Sequence, residues 1–201
     1  MNKEPKTMSE NEESMESRLE QILNDALIKA TDTYSVPPQI IWVDNSTIAT
    51  LGNFSASTGK AKAKKTFNVS ALVAASLSNG TVLNYRACLP EGKRRILYVD
   101  TEQSRYHCHN VLARILKLAG LPTDMDNQNL DFIGLREYTP AIRMEVIDYA
   151  LAHNHGYGLV IIDGIRDLLL DINNAGESVE VINKMMEWSS KYDLHIHCVL
   201  H

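Results

Sequence analysis

The sequence predicts an α/β fold built on a mostly parallel sheet with helices on both faces. From about residue 39 onward, apolar strands alternate with helical stretches of 12 to 16 residues, the pattern of successive β–α units. Strands such as Tyr157 to Ile162 (YGLVII) are apolar almost throughout, as strands buried on both faces must be. Polar residues follow the strand ends, where such sheets bind their ligands, and these are the candidates for chemistry.

The elements follow in order. Residues 1 to about 14 carry no apolar periodicity and read as disordered. Leu19, Ile22, Leu23, Leu27 and Ile28 recur at helical spacing, so 15–30 reads as a short amphipathic helix. Paired prolines at 37 and 38 then favour extended backbone and end it. Residues 1–38 are therefore expected to form a flexible arm, and 39–201 the main domain. Expected strands of that domain are 39–43, 47–54, 95–100, 130–135, 157–162 and 195–200. Expected helices are 66–77, 104–119, 140–153 and 178–192, with Gly120 as a stop signal and Pro140 in a first turn. Residues 55–65 are small, polar and basic, and read as a loop. The chain stops at His201, at the end of an expected core strand. The expectation is a core truncated at its C-terminal side.

Composition excludes several classes. The 201 residues are 44% hydrophobic and 22% charged with a formal net charge of −5, ordinary for a globular chain with a sizeable core. The three cysteines form no C-x-x-C pair and their count is odd, which points to a reducing compartment. The polar, acidic N-terminus has no apolar signal region, and no run approaches a membrane span. A cytoplasmic location without membrane association is expected.

The central motif is Gly59-Lys60-Ala61-Lys62-Ala63-Lys64-Lys65-Thr66. It fits the phosphate-loop template G-x-x-x-x-G-K-[ST] at Gly59, Lys65 and Thr66, with Lys64 in place of the second glycine. An alternative alignment on Gly52 and Gly59-Lys60 fails, because the glycines are seven apart and Ala61 cannot bind a metal. A loop between strand and helix aims backbone N–H groups at an anion, and the following helix adds its positive end. Lys65 is placed to reach the β- and γ-phosphates, and the Thr66 hydroxyl to hold Mg²⁺. Lys60, Lys62 and Lys64 add positive charge, which also suits a solvated loop or a nucleic-acid contact. At a left-handed position Lys64 would cost about 1 kcal/mol or more.

Two acids complete the set. The strand YGLVII ends at Asp163, the Walker B pattern of an apolar strand capped by a carboxylate that holds Mg²⁺. The strand RILYVD leads into Thr101 and Glu102, where a carboxylate can deprotonate an attacking water. An acid at a helix start also suits the dipole alone.

Together the three elements resemble the RecA-like P-loop ATPases, in particular the RepA-type and DnaB-type replicative helicase ATPases. ILYVDTEQ matches the strand that ends in that family's catalytic glutamate, at Glu102, and Asp163 follows two units later as Walker B does there. The likeness covers about residues 39–201, and the lysine-rich loop without a second glycine resembles a subgroup from mobile genetic elements. The resemblance implies a three-layer RecA-like core and Mg²⁺-dependent ATP hydrolysis between subunits of a homo-oligomeric ring or filament. It also implies action on single-stranded DNA, as a motor or loader in replication or mobilisation of an element. His201 matches, by position, the residue that senses the γ-phosphate. The rival readings are a nucleotide-binding regulator with little turnover, and a module whose lysine-rich loop binds DNA.

Three His-x-His pairs stand at 107/109, 153/155 and 195/197. His195 and His197 share one face of a strand, as zinc ligands can. They lack an accompanying Cys-x-x-Cys or H-E-x-x-H, so surface or core-edge histidines are expected. Arg166 and Asp167, after Walker B, suit either a neighbour's nucleotide or a surface ion pair.

Overall fold

The computed structural model describes residues 10–60, 64–169 and 175–200. Ala61, Lys62, Ala63 and His201 of the expected site lie outside the described residues. The chain divides into two compact units, Met1–Val36 and Pro37–His201. In the first, helix α1 runs over Glu10–Ala26. It therefore includes residues expected to be disordered, because extending a nucleated helix costs far less than starting one. It also stops short of residue 30.

The second unit holds two sheets. β1 (Gln39–Val43), β2 (Ser46–Thr50), β4 (Thr81–Val82) and β5 (Tyr85–Ala87) form a small antiparallel sheet in the order β2-β1-β5-β4. β3 (Phe54–Ser57), β6 (Arg95–Asp100), β7 (Leu130–Gly134), β8 (Tyr157–Asp163) and β9 (His195–Val199) form a five-stranded sheet in the order β3-β9-β8-β6-β7, parallel at every pairing. The single strand expected at 47–54 is thus two strands in two sheets. Gly52 separates them in the left-handed region, at φ 74°, where glycine carries no steric cost. Part of the expected loop, Ser55–Ser57, is the parallel strand β3. The β4–β5 hairpin was not expected; its strands have two and three residues, too few to show a period.

Helices α2 (Lys65–Ser78) and α3 (Arg105–Leu118) cover one face of the parallel sheet. Their Val69, Leu72, Val111 and Ile115 pack with Ile96, Tyr98, Leu159 and Ile161 from the strands. Helices α4 (Pro140–His153) and α5 (Ala175–Lys191) cover the other face. There Ile147, Leu151, Val181, Met185 and Trp188 meet Leu97, Val99, Val160, Ile162 and Ile196. The alternation of these strand residues between two cores is why β6 and β8 read as unbroken apolar runs. α2 is buried from Val69 through Leu77, so Ser70 and Ser76 cannot reach water. They donate instead to carbonyls one turn back, Thr66 and Leu72, at 2.7 and 3.0 Å, and the exposed Ser78 donates to Ala74 at 3.0 Å. α2 ends at Asn79, left-handed at φ 50°, whose N–H caps Ala75 and Ser76.

Among the described residues no helix is long and apolar enough to cross a membrane.

Candidate functional site

The strand register brings the sequence-predicted pieces to one end of the sheet. Ser57 pairs with Val199, Val199 with Asp163, Asp163 with Asp100, and Asp100 with Gly134. These residues form one transverse row at the carboxyl ends of all five strands. Neighbouring strands lie about 4.8 Å apart, so the end of β3 stands two strands, about 10 Å, from Asp163. Gly59, the first residue of the expected phosphate loop, follows two residues after Ser57, and α2 starts at Lys65.

Lys64 is the N-cap of α2 and adopts φ 59°, ψ 29°. The place of the second glycine is therefore a left-handed one, and the lysine carries the expected strain of about 1 kcal/mol or more. Its side chain is exposed. Lys65 is 8% exposed. Its amine folds over the loop and donates to the carbonyls of Gly59 at 2.7 Å and Lys60 at 3.2 Å. Gly59, Lys60 and Lys65 thus close around one point. Thr66 follows in the first helical turn and is half-buried.

The acids are built by β6 and β8. Asp163 is 3% exposed, and Asp100 is fully buried beside it in register. The hydroxyl of Tyr98 donates to Asp163 Oδ2 at 2.9 Å. Tyr98 is itself fully buried and stacked on Phe132, with ring centroids 4.4 Å apart. Burial, reinforced by the Asp163 charge, pushes the Tyr98 phenol well above its ordinary range. It stays protonated and remains a donor.

Asp100 caps the turn that follows it. Its Oδ1 accepts from the backbone N–H of Glu102 at 3.0 Å and of Gln103 at 2.7 Å, and its Oδ2 accepts from Gln103 Nε2 at 2.7 Å. Burial raises its carboxyl pKa, those hydrogen bonds oppose the rise, and the Asp163 charge adds to it. Asp100 thus fixes the backbone of Glu102, whose side chain is exposed.

Gly164 joins the two strand ends. It adopts φ 98°, and a Cβ there would stand 2.2 Å from Thr101 Oγ1 and 2.9 Å from Glu102 Cγ. Only glycine allows that approach, which sets Glu102 against the residue after Asp163. Thr101 Oγ1 lies within 3.0 Å of the carbonyls of Asp163 and Gly164 and of Asp167 Oδ2. Asp167 therefore faces the strand ends, not a surface ion pair. Its carbonyl takes a hydrogen bond from Arg143, whose guanidinium also holds the carbonyls of Leu135 and Arg136.

Tyr98, Thr101, Gly164 and Arg143 were not singled out from the sequence. Gly164 was the findable one, since a glycine directly after a strand-end acid is a signal for close approach. Tyr98 carries no such signal, because a tyrosine in an apolar strand reads as core.

A family model described as an AAA domain matches residues 16–201. The chain belongs to that family. It is a P-loop ATPase type of family, and the parallel sheet with a loop, a helix and two strand-end acids is a RecA-like P-loop NTPase core. Nucleotide binding of the ATPase kind follows from membership. No curated relative matches the chain.

The donor set suits the metal such a core uses. Thr66 and Asp163 are hard oxygen donors. Mg²⁺ takes one or two protein oxygens and fills its shell with water and phosphate. Among the described residues, no group of three or more His, Cys, Asp or Glu could hold a metal by itself.

Proposed function

We propose that this member of the AAA-domain family binds Mg²⁺-ATP at Gly59–Thr66 and hydrolyses it. We further propose that it works as a homo-oligomeric motor or loader on single-stranded DNA, of the RepA and DnaB type with a mobile-element phosphate loop. The observation that carries the reading is the row Ser57–Val199–Asp163–Asp100, with Glu102 set against Gly164. It supports the reading by bringing the end of β3, from which the loop departs, and two strand-end acids to one end of one sheet.

The residues divide the work. Backbone N–H groups of the loop and the start of α2 hold the phosphates. Lys65 exchanges its two carbonyl partners for phosphate oxygens and balances the charge that builds on them. Thr66 and Asp163 would hold Mg²⁺, which would supply positive charge to the phosphates. Tyr98 holds the Asp163 carboxylate in one orientation. Glu102, at the mouth of the row, takes the proton of the water that attacks the γ-phosphorus in line, and ADP leaves with its β-oxygen. His201 is assigned the γ-phosphate contact by its place after β9.

The test is multiple-turnover ATP hydrolysis with and without single-stranded DNA. Glu102→Gln is expected to lower turnover by about 10²–10⁴-fold while leaving Mg²⁺-ATP affinity near that of the parent. DNA is expected to raise the parent's turnover. Equal turnover by the two proteins would remove Glu102 from the chemistry, and insensitivity to DNA would remove the motor reading.

One observation favours a second reading, a nucleotide-binding regulator with little turnover. The left-handed Lys64 places a bulky, charged side chain where the loop approaches its anion. Tight binding without measurable turnover in the parent would select it.

A further inference from the structure

A chain of hydrogen bonds that the phosphate-site reading leaves unused runs along the boundary of β3 and β9. His195 Nδ1 lies 2.9 Å from the carbonyl of Thr50. His195 Nε2 lies 2.8 Å from Ser55 Oγ, which is also 2.8 Å from His197 Nδ1. His197 Nε2 lies 2.8 Å from Ser57 Oγ. Both rings are buried, at 1% and 6% exposure.

The direction of every proton in this chain is fixed by its first member. A carbonyl only accepts, so His195 carries its proton on Nδ1 and donates it to Thr50. A neutral His195 then accepts on Nε2, so Ser55 donates there. With its hydrogen committed, Ser55 accepts from His197 Nδ1–H. His197 in turn accepts on Nε2 from Ser57. Burial holds both rings at a pKa of about 4, so both are neutral at neutral pH and the order holds. A free neutral imidazole prefers the other tautomer, with hydrogen on Nε2, so the arrangement imposes the less common form twice.

The chain sits where the fold needs it. β3 is an edge strand of the parallel sheet, four residues long, with β9 as its strand partner. It carries the phosphate loop directly. Its backbone is tied at the end by Leu200 N–H to the Ser57 carbonyl at 2.9 Å, and its side chains are tied by the two histidines. Ser57 is thereby held through both backbone and side chain, two residues before the Gly59 carbonyl that accepts from Lys65.

We propose that His195, Ser55, His197 and Ser57 form a one-way hydrogen-bonded relay that positions the end of β3, and with it the phosphate loop, for Mg²⁺-ATP. These are positioning residues, and the proposal rests on the nucleotide reading above.

The first test needs no nucleotide. Two-bond ¹H–¹⁵N correlation spectra of the full chain at pH 7, assigned with His195→Gln and His197→Gln, report each ring's tautomer. Both rings are expected as neutral Nδ1–H forms. An Nε2–H form or an imidazolium at either ring would overturn the relay, whether or not the parent binds Mg²⁺-ATP. The second test is Mg²⁺-ATP affinity by calorimetry. Ser57→Ala is expected to weaken it about tenfold, the usual scale for a residue that orients a ligating group. Ser57→Thr, which keeps the hydroxyl, is expected to restore it, and circular dichroism is expected to show all three proteins folded. Parent-like affinity in folded Ser57→Ala would overturn the positioning role. A parent with both expected tautomers but no affinity for Mg²⁺-ATP would instead overturn the nucleotide reading, and the positioning role with it.

Discussion

The two halves of the site rest on strand pairs of opposite character. β6 and β8, which carry Asp100 and Asp163, lie inside the sheet and pair Ile96 with Leu159, Leu97 with Val160, Tyr98 with Ile161 and Val99 with Ile162. Each of these residues is buried to 1% exposure or less. β3, which leads into the expected phosphate loop, is the edge strand and meets its neighbour β9 through serines and histidines on the α2 side. Apolar burial is strong, non-directional and insensitive to pH. Hydrogen bonds between neutral groups add about 1 kcal/mol each, but only in one geometry. The acids are thus held by a seam that gives stability, and the loop by one that gives orientation.

Acid separates the two seams most sharply. Burial holds His195 and His197 at about 4, against an ordinary 6.5, with His195 adding to the depression at His197 and Asp163 opposing it. As pH falls through 6.5 the unfolded chain takes up protons that the folded chain refuses. Stability is therefore expected to fall between pH 6.5 and about 4, by about 3 kcal/mol per ring at most, and to be flat above 6.5 on this account. Urea unfolding across that range measures the slope, and His197→Gln is expected to reduce it. An equal slope in the variant would place the acid sensitivity elsewhere.

The apolar seam breaks by sterics instead. Gly164→Ala adds a methyl 2.2 Å from Thr101 Oγ1 at a left-handed backbone. It is expected to cost roughly 2–4 kcal/mol, read as a lower urea midpoint at unchanged slope. Tyr98→Phe removes the donor to Asp163 while keeping the ring stacked on Phe132. It is expected to cost about 1–2 kcal/mol and to raise the Mg²⁺ concentration needed for half-maximal ATP binding about tenfold. An unchanged Mg²⁺ requirement would show that the surrounding core orients Asp163 without it. The smallest effect belongs to the loop. Lys64→Gly relieves the left-handed backbone but frees the unfolded chain, for a net gain of about 0.5 kcal/mol. A net loss would mean that the lysine side chain contributes to the loop.

The same contrast decided what could be read from sequence. β6, β8 and β9 stand where their apolar runs place them, because strands buried on both faces show their length directly. Lys65 and Thr66 were assigned from the phosphate-loop template, and Glu102 and Asp163 from their places at the ends of apolar strands. β3 was not legible as a strand, because Ser55, Ala56 and Ser57 are small and mostly polar and its stability comes from pairing with β9 and from histidines about 140 residues away. The sequence reads His195 and His197 as surface or core-edge residues, whereas both are buried. Their tautomeric order depends on Thr50, Ser55 and Ser57, which no local pattern connects to them. Gly52 hid the change of sheet, since a glycine within a strand-like run also fits a bulge.

The central claim is that Gly59–Thr66 holds the phosphates of a nucleotide. Calorimetric titration of Mg²⁺-ATP into the full chain and into Lys65→Ala tests it most directly. Binding by the parent and a loss of about 100-fold or more in the variant are expected. Absence of binding by the folded parent, or equal binding by both proteins, would contradict it.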